Sequence, residues 1–193
     1  MNPVFHYPQY LLKRQVFALT GKVRFFDPQG NLALFVQQKM FQLREDIRIY
    51  SDEARTQELL LIKARKIIDW AAAYDVVDSL SGQKIGALRR KGWKSMVRDE
   101  WEVLDLNDQP VGMLFEDSVG RALLRRFLLG SLLPQDYDMT VGETRVADLR
   151  QKFSFFGYQM VLDFSMDTAG KLDRRLGIAA GTLLSIIEGK QQN

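Results

Sequence analysis

Residues 172 to 189, LDRRLGIAAGTLLSIIEG, constrain the fold of this chain more than any other stretch. No residue from Leu176 to Ile187 carries a charge, and Leu176, Ile178, Leu183, Leu184, Ile186 and Ile187 fall on different sides of a helix. A helix at a protein surface keeps a polar face, so one that is apolar on every side must be enclosed. A bilayer is the wrong enclosure: the run rises about 18 Å at ~1.5 Å per residue, against a hydrocarbon core of about 30 Å. Gly177, Ala179, Ala180 and Gly181 make its middle narrow, which suits close approach of other backbone. The rest of the chain is left to surround it.

That remainder reads as strands. From Gln15 to about Glu116, β-branched and aromatic runs alternate with turn signals. Three units, RFFDPQGNLALFV, YDVVDSLSGQKIGAL and WEVLDLNDQPVGMLF, place an aspartate at the end of an apolar run and begin another run a few residues later. Asp27, Asp78 and Asp105 are suited to Asx-turns, and Gly30 and Gly82 to the positive φ of a tight turn. Alternation places Leu32, Leu34 and Val36 on one face of the first hairpin, Tyr74, Val76 and Asp78 on one face of the second, and Trp101 and Val103 on one face of the third. The apolar run ELLLIKARKIIDWAAAYDVV is read as two strands flanking a bend. At DSVGRALLRRFLLG the period changes, with Val119, Leu123 and Phe127 four residues apart, and predicts a short amphipathic helix over 118–129, capped by Asp117 or Ser118 and ended by Gly130. Strand patterns return at YDMTV, TRVADLRQ and GYQMVLDFS. A sheet curled around the terminal helix would bury the inner face of every strand and cover the helix at once.

Four segments resemble the LURP-one-related family: FALTGKVRFFDPQGNLALFVQQKMFQLREDIRIYSD, LLLIKARKIIDWAAAYDVVDSLSGQKIGALRRKGWKS, WEVLDLNDQPVGMLFED and LDRRLGIAAGTLLSIIEG. That family's fold is shared with tubby C-terminal domains and phospholipid scramblases. The resemblance implies a mainly β fold, a closed antiparallel barrel of about twelve strands around a buried hydrophobic C-terminal helix. With 193 residues, 46% of them hydrophobic and 26% charged, the chain is expected to form this single domain over residues 1–193.

Signals for chemistry are few. There is no cysteine, and His6 is the only histidine, near a terminus expected to be mobile, so a catalytic dyad or zinc site has no donors to build on. No phosphate-binding loop, nucleophile elbow or dinucleotide fingerprint occurs. Asp99 with Glu100, and Glu116 with Asp117, are adjacent in sequence and so point to opposite faces of a strand. Asp163, Asp167 and Asp173 lack the spacing of a calcium loop and read as turn and cap carboxylates. The expectation is a protein with no catalytic residue, no metal and no cofactor.

Basic residues point further. Arg89, Arg90, Lys91, Lys94 and Arg98 fall in one short stretch with Trp93 and Met96, and Arg121 and Arg125 form a stripe beside Arg126 on the predicted helix. Such patches either hold phosphates of a lipid headgroup or form a solvated face partly neutralised by Asp99 and Glu100. Arg174 and Arg175 stand near the start of the terminal helix, where cations are disfavoured by its dipole, and call for an acid on the barrel rim or a phosphate. Tubby domains bind phosphoinositides, and the resemblance implies a module for anionic phospholipid headgroups, phosphoinositides among them. A protein-interaction scaffold and scramblase-like lipid movement are the alternatives. A formal net charge of +3 argues against nucleic acid as a partner. Pro3, His6, Pro8 and Gln9 break up any secretion signal, so the expected location is cytoplasmic and peripheral at membranes, with no transmembrane span.

Overall fold

The computed structural model describes residues 2–15, 20–39, 46–65, 72–91, 100–116, 134–154 and 157–191. Strands β1 (Gln9–Arg14), β2 (Thr20–Phe26), β3 (Leu32–Lys39), β4 (Ile47–Tyr50), β5 (Glu58–Ala64) and β6 (Ala73–Asp78) precede β7 (Lys84–Arg90), β8 (Glu100–Leu104) and β9 (Pro110–Glu116). Strands β10 (Asp136–Val141), β11 (Thr144–Lys152) and β12 (Tyr158–Asp163) follow, and helix α1 (Arg174–Gln191) ends the chain. Each strand pairs antiparallel with its sequence neighbours, and β1 pairs with β12, so the twelve strands close into a barrel. An even strand count lets a plain meander close in this way without a parallel joint. The predicted helix over 118–129 lies outside the described residues.

The meander sorts its connections onto two rims. Links β2–β3, β4–β5, β6–β7, β8–β9 and β10–β11 lie at the first rim, together with the start of α1; links between odd strands and the next even strand lie at the second. All five first-rim hairpins carry a register shift, and each time the extra residue is on the odd strand: Ala33, Leu59, Ile85, Val111 and Val146. A bulge bends its strand and raises the local twist, which helps a sheet close. It also corrects one expectation. Leu34 and Val36 are fully buried, but Leu32, across the bulge at Ala33, pairs with Phe26 and is only half-buried.

The turn chemistry is local and matches the aspartates. Asp27 Oδ1 accepts the N–H groups of Gln29 and Asn31 (3.0 and 2.8 Å), Asp78 Oδ1 those of Leu80 and Ser81 (2.9 and 3.0 Å), and Asp105 Oδ1 those of Asn107 and Gln109 (both 2.8 Å). Gly30 and Gly82 take φ of 85° and 68°; in the third hairpin Asp108, at 62°, takes the left-handed position instead.

Residues before Gln15 are more ordered than expected. A 3₁₀ turn, Pro3–Phe5, is capped by Asn2, Phe5 is buried, and β1 completes the barrel with Tyr10 and Leu12 inward. The alternation is short, and its partner strand lies some 150 residues away, as in the Leu12–Met160 pair. His6 is exposed.

Every residue of α1 from Leu176 to Ile187 is buried. The two hydroxyls in that run are satisfied within the helix: Thr182 Oγ1 donates to the Ile178 carbonyl (2.9 Å) and Ser185 Oγ to that of Thr182 (2.8 Å). The helix packs against β12 and β2 and also against β6 and β7, which lie across the barrel from them. Its glycines admit side chains rather than backbone: a Cβ at Gly177 would stand 2.3 Å from the Phe164 ring, and one at Gly181 would stand 2.8 Å from Leu162.

Candidate functional site

Among the described residues, carboxylates outnumber basic groups at the first rim, where Arg55, Lys84, Arg145, Lys171, Arg174 and Arg175 also stand, and basic groups outnumber carboxylates at the second. The first rim carries the turn aspartates, joined by Asp52, whose carboxylate accepts from the Thr56 N–H and from the Ser51 and Thr56 hydroxyls. Hydrogen bonds from these groups hold the Asp27 and Asp52 carboxyls below the ordinary carboxylate range. At the second rim the described strand ends carry Lys13, Arg14, Lys22, Lys63, Arg89, Arg90, Lys91 and Lys152. Acids are present there too, among them Glu102, Glu116 and Asp136 on β8, β9 and β10 and Asp46 just before β4.

Of the sequence-derived basic residues, Lys94, Arg98, Arg121 and Arg125 lie outside the described residues. Arg89 and Lys91 face outward and share one acid across the strand pair, with nitrogens 2.6 and 3.8 Å from the Glu102 carboxylate. Arg90 turns the other way, its guanidinium 6.0 Å from the Trp101 ring centroid, and Trp101 is buried. Alternation along β7 therefore divides the triplet between two faces.

A second inward cation, Arg14, is only 8% exposed. Its Nη1 donates to the Ser185 carbonyl of α1 (2.7 Å), its Nε has no acceptor, and burial lowers its pKa from the ordinary guanidinium value. At the other end of the helix, Arg175 meets the acid expected on the rim: its Nη1 is 2.5 Å from Asp78 Oδ2, and it also pairs with Asp173. Arg174 instead donates to the His6 and Tyr7 carbonyls. The helix is thus tied to the wall by arginines at both ends.

The three aspartates considered for calcium are engaged in turns and caps. Asp163 accepts the Ser165 N–H, Asp167 those of Lys171 and Leu172, and Asp173 that of Arg175. Among the described residues no group of three or more His, Asp or Glu side chains is placed to hold a metal ion. No helix among them is long and apolar enough to cross a membrane.

An outer ion-pair group links the barrel wall to the first rim. Arg65 Nη2 is 2.5 Å from both Asp75 and Asp108, and Lys84 Nζ is 2.6 Å from Asp108. Hydrogen bonds from Arg65 and then Lys84 hold the Asp108 carboxyl down to about 2, from the usual 3.8. A depressed carboxylate stabilises the fold above its unfolded pKa, and that contribution is lost as pH falls from about 4 through about 2. An NMR carboxyl titration should place Asp108 near the lower value and move it toward 3.8 in Arg65→Ala/Lys84→Ala; a wild-type midpoint at 3.8 contradicts the pairing.

Lys13, Lys22 and Lys152, exposed or half-exposed on β1, β2 and β11, went unremarked in the sequence because they lie far apart in the chain and form no run of basic residues. Comparison with known proteins adds one assignment. No curated protein and no solved structure matches the chain. The family model for LURP-one-related proteins matches residues 32–184, a span that runs from the start of β3 through more than half of α1. The chain belongs to the LURP-one-related family.

Proposed function

We propose that this protein is a non-enzymatic binding module that recognises anionic phospholipid headgroups at a membrane surface, and that α1 is the barrel's internal core rather than a membrane element. The observation that carries the reading is the uneven spread of charge, with turn carboxylates in excess at the first rim and lysine- and arginine-bearing strand ends in excess at the second. A barrel charged in this way orients in the field of an anionic leaflet, where each basic group near the surface contributes about 1 kcal/mol. The phosphoinositide binding of tubby domains, whose fold this family resembles, supports the same reading. For α1, the support is burial on all sides and packing against strands on opposite walls.

Vesicle co-sedimentation tests it. The chain is expected to bind vesicles containing phosphatidylserine or phosphatidylinositol bisphosphate at low salt and to leave phosphatidylcholine vesicles unbound, with a clear preference for one anionic headgroup at matched surface charge. Failure to bind any anionic vesicle contradicts the reading. So does binding that follows total charge alone and vanishes at moderate salt.

A further inference from the structure

We propose that the seam where the barrel closes, β11–β12–β1–β2, is a phosphate-recognition site for an anionic lipid headgroup, formed by Lys13, Lys22 and Lys152 around Gln159. This rests on the lipid reading above and names the surface that performs it. Strand register brings the residues together: Gln159 pairs with Lys152 on one side and Lys13 on the other, and Lys13 pairs with Arg24, two residues along β2 from Lys22. At ~4.8 Å per strand, the Cα atoms of Lys13 and Lys152 stand about 10 Å apart across Gln159, within reach of one phosphate for two lysine side chains.

These cations are not committed elsewhere. None of the three forms an ion pair among the described residues. Lys13 rests its ammonium 5.1 Å from the Phe26 ring centroid, and the carboxylate nearest in effect to Lys22, Glu53, is already held by two bonds from Arg24 (2.7 and 3.1 Å). This contrasts with Arg89 and Lys91, which share Glu102. Asp136 on β10, across from Arg150, and Glu53, held by Arg24, flank the cluster; within the four seam strands the outward acids begin at the paired Asp148 and Asp163, four residues along the strands. At ~3.3 Å per residue that is about 13 Å, beyond a screening length of about 8 Å.

Lysines often guard exposed sheet edges, but a closed barrel has no edge to guard. Phe153, directly after Lys152 at the second rim, is 57% exposed. An ammonium cluster beside an exposed aromatic ring fits a phosphate at the boundary of an apolar phase, which favours a lipid headgroup over a free phosphate.

The test compares charge-matched variants on phosphatidylcholine vesicles containing phosphatidylinositol bisphosphate. Lys13→Ala/Lys22→Ala/Lys152→Ala is expected to weaken binding on the order of 100-fold while keeping the wild-type melting temperature, because none of these side chains is buried. Arg55→Gln/Arg145→Gln/Lys171→Gln, which removes the same charge from exposed positions at the first rim, should stay within a few-fold of wild type. Equal losses in both variants, or a loss only in the second, overturn the seam while leaving the lipid reading standing. A wild-type protein that binds none of the anionic vesicles overturns that reading and the seam with it.

Discussion

Ile178→Asp is expected to remove the folded protein from the soluble fraction. Ile178 is fully buried in α1, among residues packed against β12, β2, β6 and β7. An unpaired carboxylate there loses its hydration without gaining a partner, at a cost of several kcal/mol against a typical domain stability of about 5–15 kcal/mol. Leu183→Asp should behave alike, as Leu183 is only 1% exposed. Ile178→Val keeps the apolar surface and should cost about 0.5–1.5 kcal/mol, so it controls for handling of the helix. Soluble yield and thermal melts separate the outcomes. An Ile178→Asp protein that is soluble and melts near the wild-type temperature would show that the helix is not enclosed.

Trp101→Ala carries the next largest effect. Trp101 is the largest of the fully buried side chains; it pairs with Arg90 across β7 and stacks at a tilt on Tyr74, with ring centroids 6.1 Å apart. Truncation leaves a cavity on the inner wall and should cost about 3–5 kcal/mol in urea unfolding. Trp101→Phe tells a different story, because the indole Nε1 is buried without an acceptor. Removing that orphan donor offsets part of the lost volume, so the phenylalanine variant should lie within about 1 kcal/mol of wild type. A Phe variant as unstable as the Ala variant would mean that the indole nitrogen has a partner.

What could be read from the sequence follows from the range of the interactions involved. The hairpin aspartates were legible because an Asx-turn is completed within four residues, as at Asp27 and Asp105. The terminal helix was legible because its apolarity is a property of its own residues. Bulges were not: Ala33 is displaced by the pairing of Leu32 with Phe26 and Leu34 with Phe25, and nothing in LALFV announces the extra residue. Strand β1 was overlooked because its short alternation gains meaning only against β12.

The same distinction separates the two basic surfaces. Arg89, Arg90 and Lys91 stand out as a cluster in the sequence, yet the fold divides them between faces and gives the outward pair an acid on β8. Lys13 and Lys152 are far apart in the chain and meet across Gln159 only because the barrel closes. A cluster in sequence is therefore a poor guide to a cluster in space when the elements are strands.

Hydrogen exchange of the chain with and without vesicles containing phosphatidylinositol bisphosphate tests the central claim most directly. A module that meets lipid with the outside of its second rim should gain protection in β1, β2, β11 and β12, with the first-rim hairpins unchanged and residues 176–187 equally slow in both states. Faster exchange in 176–187 on vesicles, or protection confined to the first rim, would contradict the account, because the helix would then be leaving the barrel or the acidic end would be facing the membrane.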